Sequence, residues 1–197
     1  LSIWIAGGIV SAGFHYTALL TLPFYWILRR DWSVALAGTL FVVAIFMSTQ
    51  KALALSFLEW VPSVLPSTYA HYPGRVLEQL ESYGFGPGYV WYLLSAVFVL
   101  VFWRHVGRLG LPETVIRNAF FLGIVVMIAS YQFWAVNRLG WFFWIAGVLY
   151  WPMVVCRLFG SGRSLFLWGV VLVHVLLLLN GLFSGSHDAV PYNSVLG

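Results

Sequence analysis

The chain has 197 residues, of which 61% are hydrophobic and only 8% are charged. Soluble domains need roughly a quarter of their residues charged, so this composition excludes a soluble protein and indicates a polytopic membrane protein. The ten Lys and Arg residues are scattered between apolar runs, which argues against a nucleic-acid surface, and the single Cys156 excludes an internal disulfide framework and a cysteine-based metal site.

The first predicted transmembrane span covers about residues 1–28 and ends at Arg29, Arg30 and Asp31. The apolar run is long enough to cross a bilayer core of roughly 30 Å at about 1.5 Å per helical residue. His15 lies in the middle of this span. An intramembrane ionisable side chain is a functional-site hypothesis, and the alternative for His15 is a hydrogen bond that joins two helices.

Five further apolar runs predict transmembrane helices, which gives six spans. They cover about residues 33–50, 89–103, 118–136, 141–156 and 164–183. Basic residues and turn signals mark their ends, and the pair Asn137–Arg138 separates the fourth span from the fifth. The predicted fold is all-α, a bundle of about six transmembrane helices that forms a single domain over residues 1–197.

The basic residues also predict the orientation of the spans. If the Arg29–Arg30 turn is cytoplasmic, alternation of the six spans places seven of the ten basic residues on that side. Such a split is what the positive-inside rule requires. Residues 51–88, Arg138 and the tail from Ser184 are then predicted to share the outer side.

The interval 51–88 is the longest segment between two spans, and we predict an outer interfacial loop with short helices. Its second half contains tyrosines, His71 and Arg75, followed by a Gly-Pro-Gly turn. Loops of this length are functional or disordered, and the high aromatic content argues against disorder. The alternative is a loop whose tyrosines only anchor it among lipid headgroups.

Other chemistries find less support in the sequence. His174 in the sixth span could pair with His15 as axial haem ligands, which would indicate an electron carrier, but haem proteins of that type carry more than one such pair. The chain has no HExxH motif and no glycine-rich phosphate loop. Ser186, His187 and Asp188 are too close in sequence to face one another as a catalytic triad. We therefore predict neither a metal nor a cofactor.

Several segments, taken in order, resemble the EpsG-type family of bacterial exopolysaccharide polymerases, which are Wzy-like membrane glycosyltransferases. GFHYTALLTLPFYWILRR resembles the family's FHxSALxxLPxY helix, and YAHY followed by GFGPG resembles its outer segment. RNAFFLGIVVMIASYQFWAVNRLGWFF resembles a pair of its spans, and VPYNSVLG resembles its closing segment. Together these motifs cover nearly the whole chain as the C-terminal half of such a protein, so we expect an N-terminal half before Leu1.

The resemblance implies a multi-pass protein of the bacterial cytoplasmic membrane that joins oligosaccharide repeats carried on polyprenyl diphosphate. Membrane lipid and other polysaccharide-synthesis proteins would be its further partners. The chemistry of that reaction indicates catalytic roles for Arg138, which would stabilise the diphosphate, and for His71, or as the second choice His15, which would take a proton from the acceptor hydroxyl. The implied substrate-binding residues are one cation and four aromatic side chains: Arg75, Trp60, Tyr69, Tyr72 and Tyr83.

Two other functions remain open at this point: a non-catalytic accessory subunit of a larger membrane complex, and a transporter of lipid-linked glycans. An accessory subunit should lack a convergence of polar side chains. The discriminating observation is therefore whether Arg75, Arg138 and the tyrosines line one cavity. For Arg138 itself, the alternative is a residue at a helix end whose charge reaches the membrane surface.

Overall fold

In the computed structural model, the regular elements of the described part of the chain are helices. The described residues are 22–50, 56, 85–104, 110–131, 134–158 and 163–183. The helices are α1 (Tyr25–Leu28), α2 (Val34–Thr49), α3 (Pro87–Val101), α4 (Leu111–Ala129), α5 (Trp134–Trp144), α6 (Gly147–Leu158) and α7 (Arg163–Phe183). Within these ranges there is no strand, which confirms the all-α prediction.

Two apolar helical stretches are long enough to cross a membrane, Leu111–Ala129 and Leu139–Leu158. Three further apolar helices are shorter, over Val34–Thr49, Pro87–Val101 and Leu165–Leu177. A helical bundle therefore fits the chain. The number of six spans stays a prediction, because most of the first predicted span lies outside the described residues.

Helix starts follow from local side-chain chemistry. The Ser33 hydroxyl accepts a hydrogen bond from the backbone N–H of Leu36, which caps α2. At the start of α4, the N–H of Gly110 donates to the Glu113 carboxylate at 2.6 Å. Proline within the first turn of α3 and of α4 costs no helical hydrogen bond, since the N–H groups there have no partner in the helix.

Two predicted boundaries are wrong. The fourth span, predicted from residue 118, begins at Leu111, so Arg117 lies inside the helix and not in a connecting turn. The turn predicted at Asn137 and Arg138 is part of α5, and the chain turns instead between α4 and α5. Asn137 is tolerated in the helix because its side-chain amide donates to the backbone carbonyl of Met127 at 3.1 Å.

Residues up to Tyr150 form one compact unit, and residues from Trp151 onward form a second. In the first unit, α4 is the central helix, because α1, α2, α3 and α5 all pack against it. Most of its buried side chains are apolar, and three are polar, Thr114, Arg117 and Asn118. In the second unit, the ring of Trp151 lies 6.1 Å from that of Phe166 on α7.

Glycines allow α4 and α5 to approach at backbone distance. A Cβ on Gly123 would lie 2.7 Å from the Cα of Trp144, and a Cβ on Gly140 would lie 3.1 Å from the carbonyl oxygen of Gly123. Small residues at such crossings favour packing between helices in a membrane. Because Asn137 lies beside Met127 and Trp144 lies beside Gly123, α5 runs back along α4 in the opposite direction.

Contacts between helices define two ends of the first unit. At the arginine end lie Asp31, Trp103 and Arg117, where α2 begins, α3 has just ended and α4 begins. At the tyrosine end lie Ser48 and Tyr131 with the start of α3, where α2 and α4 end. The three helices therefore alternate in direction, as the sequence predicts for consecutive spans.

Candidate functional site

The tyrosine end holds a network of hydroxyl groups that joins three helices. The Ser48 hydroxyl donates to the backbone carbonyl of Ile45 at 2.7 Å. Its oxygen therefore accepts a hydrogen bond from the Tyr89 hydroxyl, which is also 2.7 Å away. The hydroxyl of Tyr131 accepts a hydrogen bond from the N–H of Gly86 at 3.1 Å. These bonds join the end of α2 to α3, and the start of α3 to the end of α4.

Three aromatic rings pack together beside these hydroxyls. The ring centroids of Phe85 and Tyr89 are 4.5 Å apart, and those of Tyr89 and Tyr131 are 4.8 Å apart. Phe85 also stacks over Tyr131 at 6.2 Å with an angle of 24° between the ring planes. Tyr89 is buried, whereas 56% of Phe85 is exposed. We call these three residues the aromatic platform.

The network closes the base of the predicted outer loop. The loop leaves α2 just after Ser48 and returns just before Tyr89, and these two side chains share a hydrogen bond. Helix α3 begins at Pro87, so the Gly-Pro-Gly sequence predicted as a turn opens the helix. The predicted loop residues lie outside the described part of the chain: Trp60, Tyr69, His71, Tyr72, Arg75 and Tyr83.

The backbone of Arg138 lies in the second turn of α5, and its side chain is outside the part of the chain that the structure describes. Its neighbour Asn137 bonds to the carbonyl of Met127, which precedes Tyr131 by about one helical turn. Arg138 is therefore on the half of α5 nearer the tyrosine end. A cavity lined by Arg75, Arg138 and the tyrosines would discriminate an enzyme from an accessory subunit. That cavity stays a prediction.

His15 and His174 are the two histidines considered as haem ligands. His15 lies outside the described residues. The Nδ1–H of His174 donates to the backbone carbonyl of Val170 at 2.8 Å, one turn earlier in α7. The haem hypothesis stays untested. In the described ranges, no three His, Cys, Asp or Glu side chains gather as a metal site would require.

The arginine end holds a buried cation that the sequence interpretation placed in a loop. Arg117 is 1% exposed, and its guanidinium lies 2.9 Å from a carboxylate oxygen of Asp31, whose side chain is 74% exposed. The guanidinium also lies 4.2 Å from the centre of the Trp103 ring, and its Nε–H donates to the side-chain oxygen of Asn118 at 3.2 Å. These contacts offset the cost of burying the charge.

Asn118 links α4 to the end of α1. Its side-chain amide donates to the backbone carbonyls of Leu28 at 2.8 Å and Arg30 at 2.7 Å. The carbonyls at the end of a helix have no helical partner, so this amide satisfies them. The indole N–H of Trp103 donates to the carbonyl of Trp32 at 2.9 Å and holds the next residues of the same bend.

Sequence reasoning missed both Arg117 and Asn118. The signal was present, because an ionisable residue within a turn or two of a Gly-Leu-Pro-Glu helix start belongs to the helix and not to the preceding loop. Every described contact of Arg117 is with another residue of this chain, so we interpret the arginine end as a structural contact that holds the helices together. The tyrosine end combines fixed hydroxyls with an exposed ring, and such an arrangement suits the binding of a neutral polar ligand.

A family model described as the EpsG family matches residues 4–194, which include both ends of the first unit and the predicted outer loop. No curated protein and no solved structure matches the chain.

Proposed function

This chain belongs to the EpsG family, and from that premise we propose that it is a membrane glycosyltransferase that polymerises lipid-linked oligosaccharide repeats. The family match and the apolar helices make it a membrane protein with a polysaccharide-polymerase-like role in exopolysaccharide biosynthesis. Its substrate class is a lipid-linked glycan. The carrier that we propose is polyprenyl diphosphate, and the location is the bacterial cytoplasmic membrane, crossed by six spans.

In the proposed orientation, the tyrosine end faces outward and the arginine end faces the cytoplasm. Arg29, Arg30 and Arg104 are all exposed at the arginine end, and cytoplasmic loops accumulate such residues. At the opposite end, hydrogen bonds of Ser48 with Tyr89 and of Gly86 with Tyr131 join residues on either side of the predicted outer loop, which supports placing the loop at that end. Lipid-linked repeats would then meet the protein at the tyrosine end.

The proposed reaction is the transfer of a growing glycan to another repeat. The hydroxyl oxygen of the acceptor sugar attacks the anomeric carbon of the donor glycan, and a new C–O bond forms there. The bond from that carbon to the diphosphate oxygen breaks, and polyprenyl diphosphate leaves with the electron pair. The proton of the acceptor hydroxyl passes to a general base, for which we propose His71, with His15 as the second choice.

Negative charge develops on the diphosphate as it leaves, so a fixed cation nearby lowers the barrier. We propose Arg138 for this role, assisted by Arg75, because the planar guanidinium can offer two parallel donors to phosphate oxygens. The backbone of Arg138 in α5, near the tyrosine end, supports this proposal. A helix fixes the origin of the side chain more closely than the short loop that was predicted.

The observation that carries the proposal is the family match over nearly the whole chain. The hydrogen bond between Gly86 and Tyr131, which joins the start of α3 to the end of α4, supports it. The test replaces Arg138 by lysine and by alanine in the full-length protein and measures the length distribution of the polymer made by cells. Arg104→Lys is the matched control, since Arg104 is an exposed arginine at the arginine end.

We expect both Arg138 variants to shorten the mean length of the polymer at least tenfold or to leave no polymer. The protein should remain inserted in the membrane. Removal of one transition-state donor typically costs about 10²–10³ in rate, and lysine supplies charge without the fork of donors. Wild-type polymer lengths in Arg138→Ala cells would contradict a catalytic role. If deletion of the gene still abolished polymer, that result would favour the accessory-subunit alternative.

A further inference from the structure

Phe85 presents an aromatic face that the packing of the helices leaves uncovered. Its side chain is 56% exposed, although it lies directly before the helix that carries the buried Tyr89. Phenylalanine has no hydroxyl or N–H, so it gains less at a membrane surface than the tyrosine or tryptophan that anchors proteins there. The exposed face of the Phe85 ring can therefore stack against a ligand.

The ring is also held in a defined orientation. It packs against the ring of Tyr89 and stacks with that of Tyr131. Both tyrosines are fixed through their hydroxyls, one to Ser48 and the other to the N–H of Gly86. A Cβ on Gly86 would lie 3.2 Å from the Tyr131 hydroxyl, so the close approach favours glycine. A surface that is already ordered loses little entropy when it binds a ligand.

From this geometry we infer that the aromatic platform of Phe85, Tyr89 and Tyr131 is a binding subsite for a pyranose ring of the lipid-linked glycan. One face of a pyranose consists of C–H groups and is apolar, so it stacks on an aromatic ring, while its hydroxyls remain at the rim. This inference rests on the proposed function and adds residues to it that the loop sequence did not indicate.

The subsite has a place in the proposed reaction. Phe85 directly follows the predicted loop segment that bears His71 and Arg75 in the sequence, so we assign the sugar stacked on it to the glycan part of the substrate and not to the diphosphate. Phe85 is then a substrate-binding residue and takes no part in proton transfer. Its loss should weaken binding of the glycan and leave the lipid diphosphate bound as before.

The test measures binding of oligosaccharides to the purified full-length protein in detergent. The probes are oligosaccharides released by partial acid hydrolysis of the host's own exopolysaccharide, and polyprenyl diphosphate without sugar. The variants are Phe85→Leu, which keeps an apolar side chain without a ring, and Phe85→Trp, which keeps a ring. Phe46→Leu is the matched control, because Phe46 is 58% exposed and lies in the last turn of α2, at the tyrosine end.

We expect Phe85→Leu to bind the oligosaccharides about tenfold more weakly, as the loss of one aromatic stacking contact implies. Phe85→Trp should bind within about threefold of wild type, and Phe46→Leu and the binding of polyprenyl diphosphate should not change. Wild-type affinity in Phe85→Leu, a tenfold loss in Phe85→Trp, or an equal loss in Phe46→Leu would overturn the subsite. The last result would mean that exposed phenylalanines at this end only anchor the protein in lipid.

The length of polymer made by cells separates a failure of the subsite from a failure of the proposed function. If Arg138→Ala abolishes polymer but the wild-type protein binds no oligosaccharide, the subsite is wrong and the polymerase role stands. If deletion of the gene leaves polymer unchanged while binding still depends on Phe85, the polymerase role is wrong and a glycan-binding site remains.

Discussion

At the scale of single residues, Arg117 and Asn118 are neighbours in sequence with different energetic roles. Arg117 is a buried charge whose carboxylate partner, Asp31, is largely exposed to solvent. Water screens that carboxylate, and exposed ion pairs contribute about 0–1 kcal/mol. Asn118 instead satisfies two backbone carbonyls that would otherwise be left without partners. An orphaned buried acceptor costs about 1–3 kcal/mol.

These magnitudes predict an order of effects. Asn118→Ala should lower the free energy of unfolding by about 1–3 kcal/mol, because two carbonyls at the end of α1 lose their donor. Asp31→Asn should lower it by about 1 kcal/mol or less, since the asparagine oxygen can still accept from Arg117. Thermal unfolding of both variants in detergent checks the order. A larger loss in Asp31→Asn than in Asn118→Ala would contradict the role assigned to Asn118.

The same residues show where sequence reasoning fails. Arg117 bonds to a residue 86 positions away, and a pattern of hydropathy contains no information on such a partner. A polar residue that is satisfied across helices therefore looks like a loop residue. Asn137 was placed in a turn for the same reason, although its amide bonds to the carbonyl of Met127.

At the scale of elements, helices with uninterrupted apolar runs were predicted well. The second span was predicted over 33–50 and is α2, Val34–Thr49; the last was predicted over 164–183 and is α7, Arg163–Phe183. The division of α4 from α5 was wrong because polar side chains within helices were interpreted as ends. The candidate site was predicted only as a location, since the loop residues lie outside the described ranges and the aromatic platform depends on contacts between distant helices.

The contact of α4 with α5 gives a prediction for Gly123. A Cβ at this position would lie 2.9 Å from the carbonyl carbon of Phe143, and backbone atoms cannot rotate away as a side chain can. Gly123→Ala should therefore lower the free energy of unfolding by about 1–3 kcal/mol or more.

Gly38→Ala is the matched control, because a Cβ on Gly38 of α2 would meet nothing within 4 Å. Alanine has a higher helix propensity than glycine, so this variant should be at least as stable as wild type. Thermal unfolding of the two variants in the same detergent makes the comparison. Equal melting temperatures for Gly123→Ala and Gly38→Ala would mean that α4 and α5 do not pack at backbone distance.

At the scale of the whole molecule, the account depends on which end faces outward. The proposed chemistry requires the tyrosine end, which carries the two flanks of the predicted outer loop, to meet lipid-linked repeats on the outer side. The exposed arginines at the opposite end support this orientation through the positive-inside rule. If the orientation were reversed, the aromatic platform and Arg138 would face the cytoplasm, and the proposed site could not reach its substrate.

The most direct measurement is the labelling of single cysteines in intact cells by a membrane-impermeant maleimide. Cys156 is exposed, so it is first replaced by alanine, and one cysteine is then introduced at Ser82 or at Ser161 of the full-length protein. We predict that Ser82→Cys is labelled from outside, whereas Ser161→Cys is labelled only after the membrane is permeabilised. Labelling of both positions from outside, or of Ser161→Cys alone, would contradict an outward-facing tyrosine end.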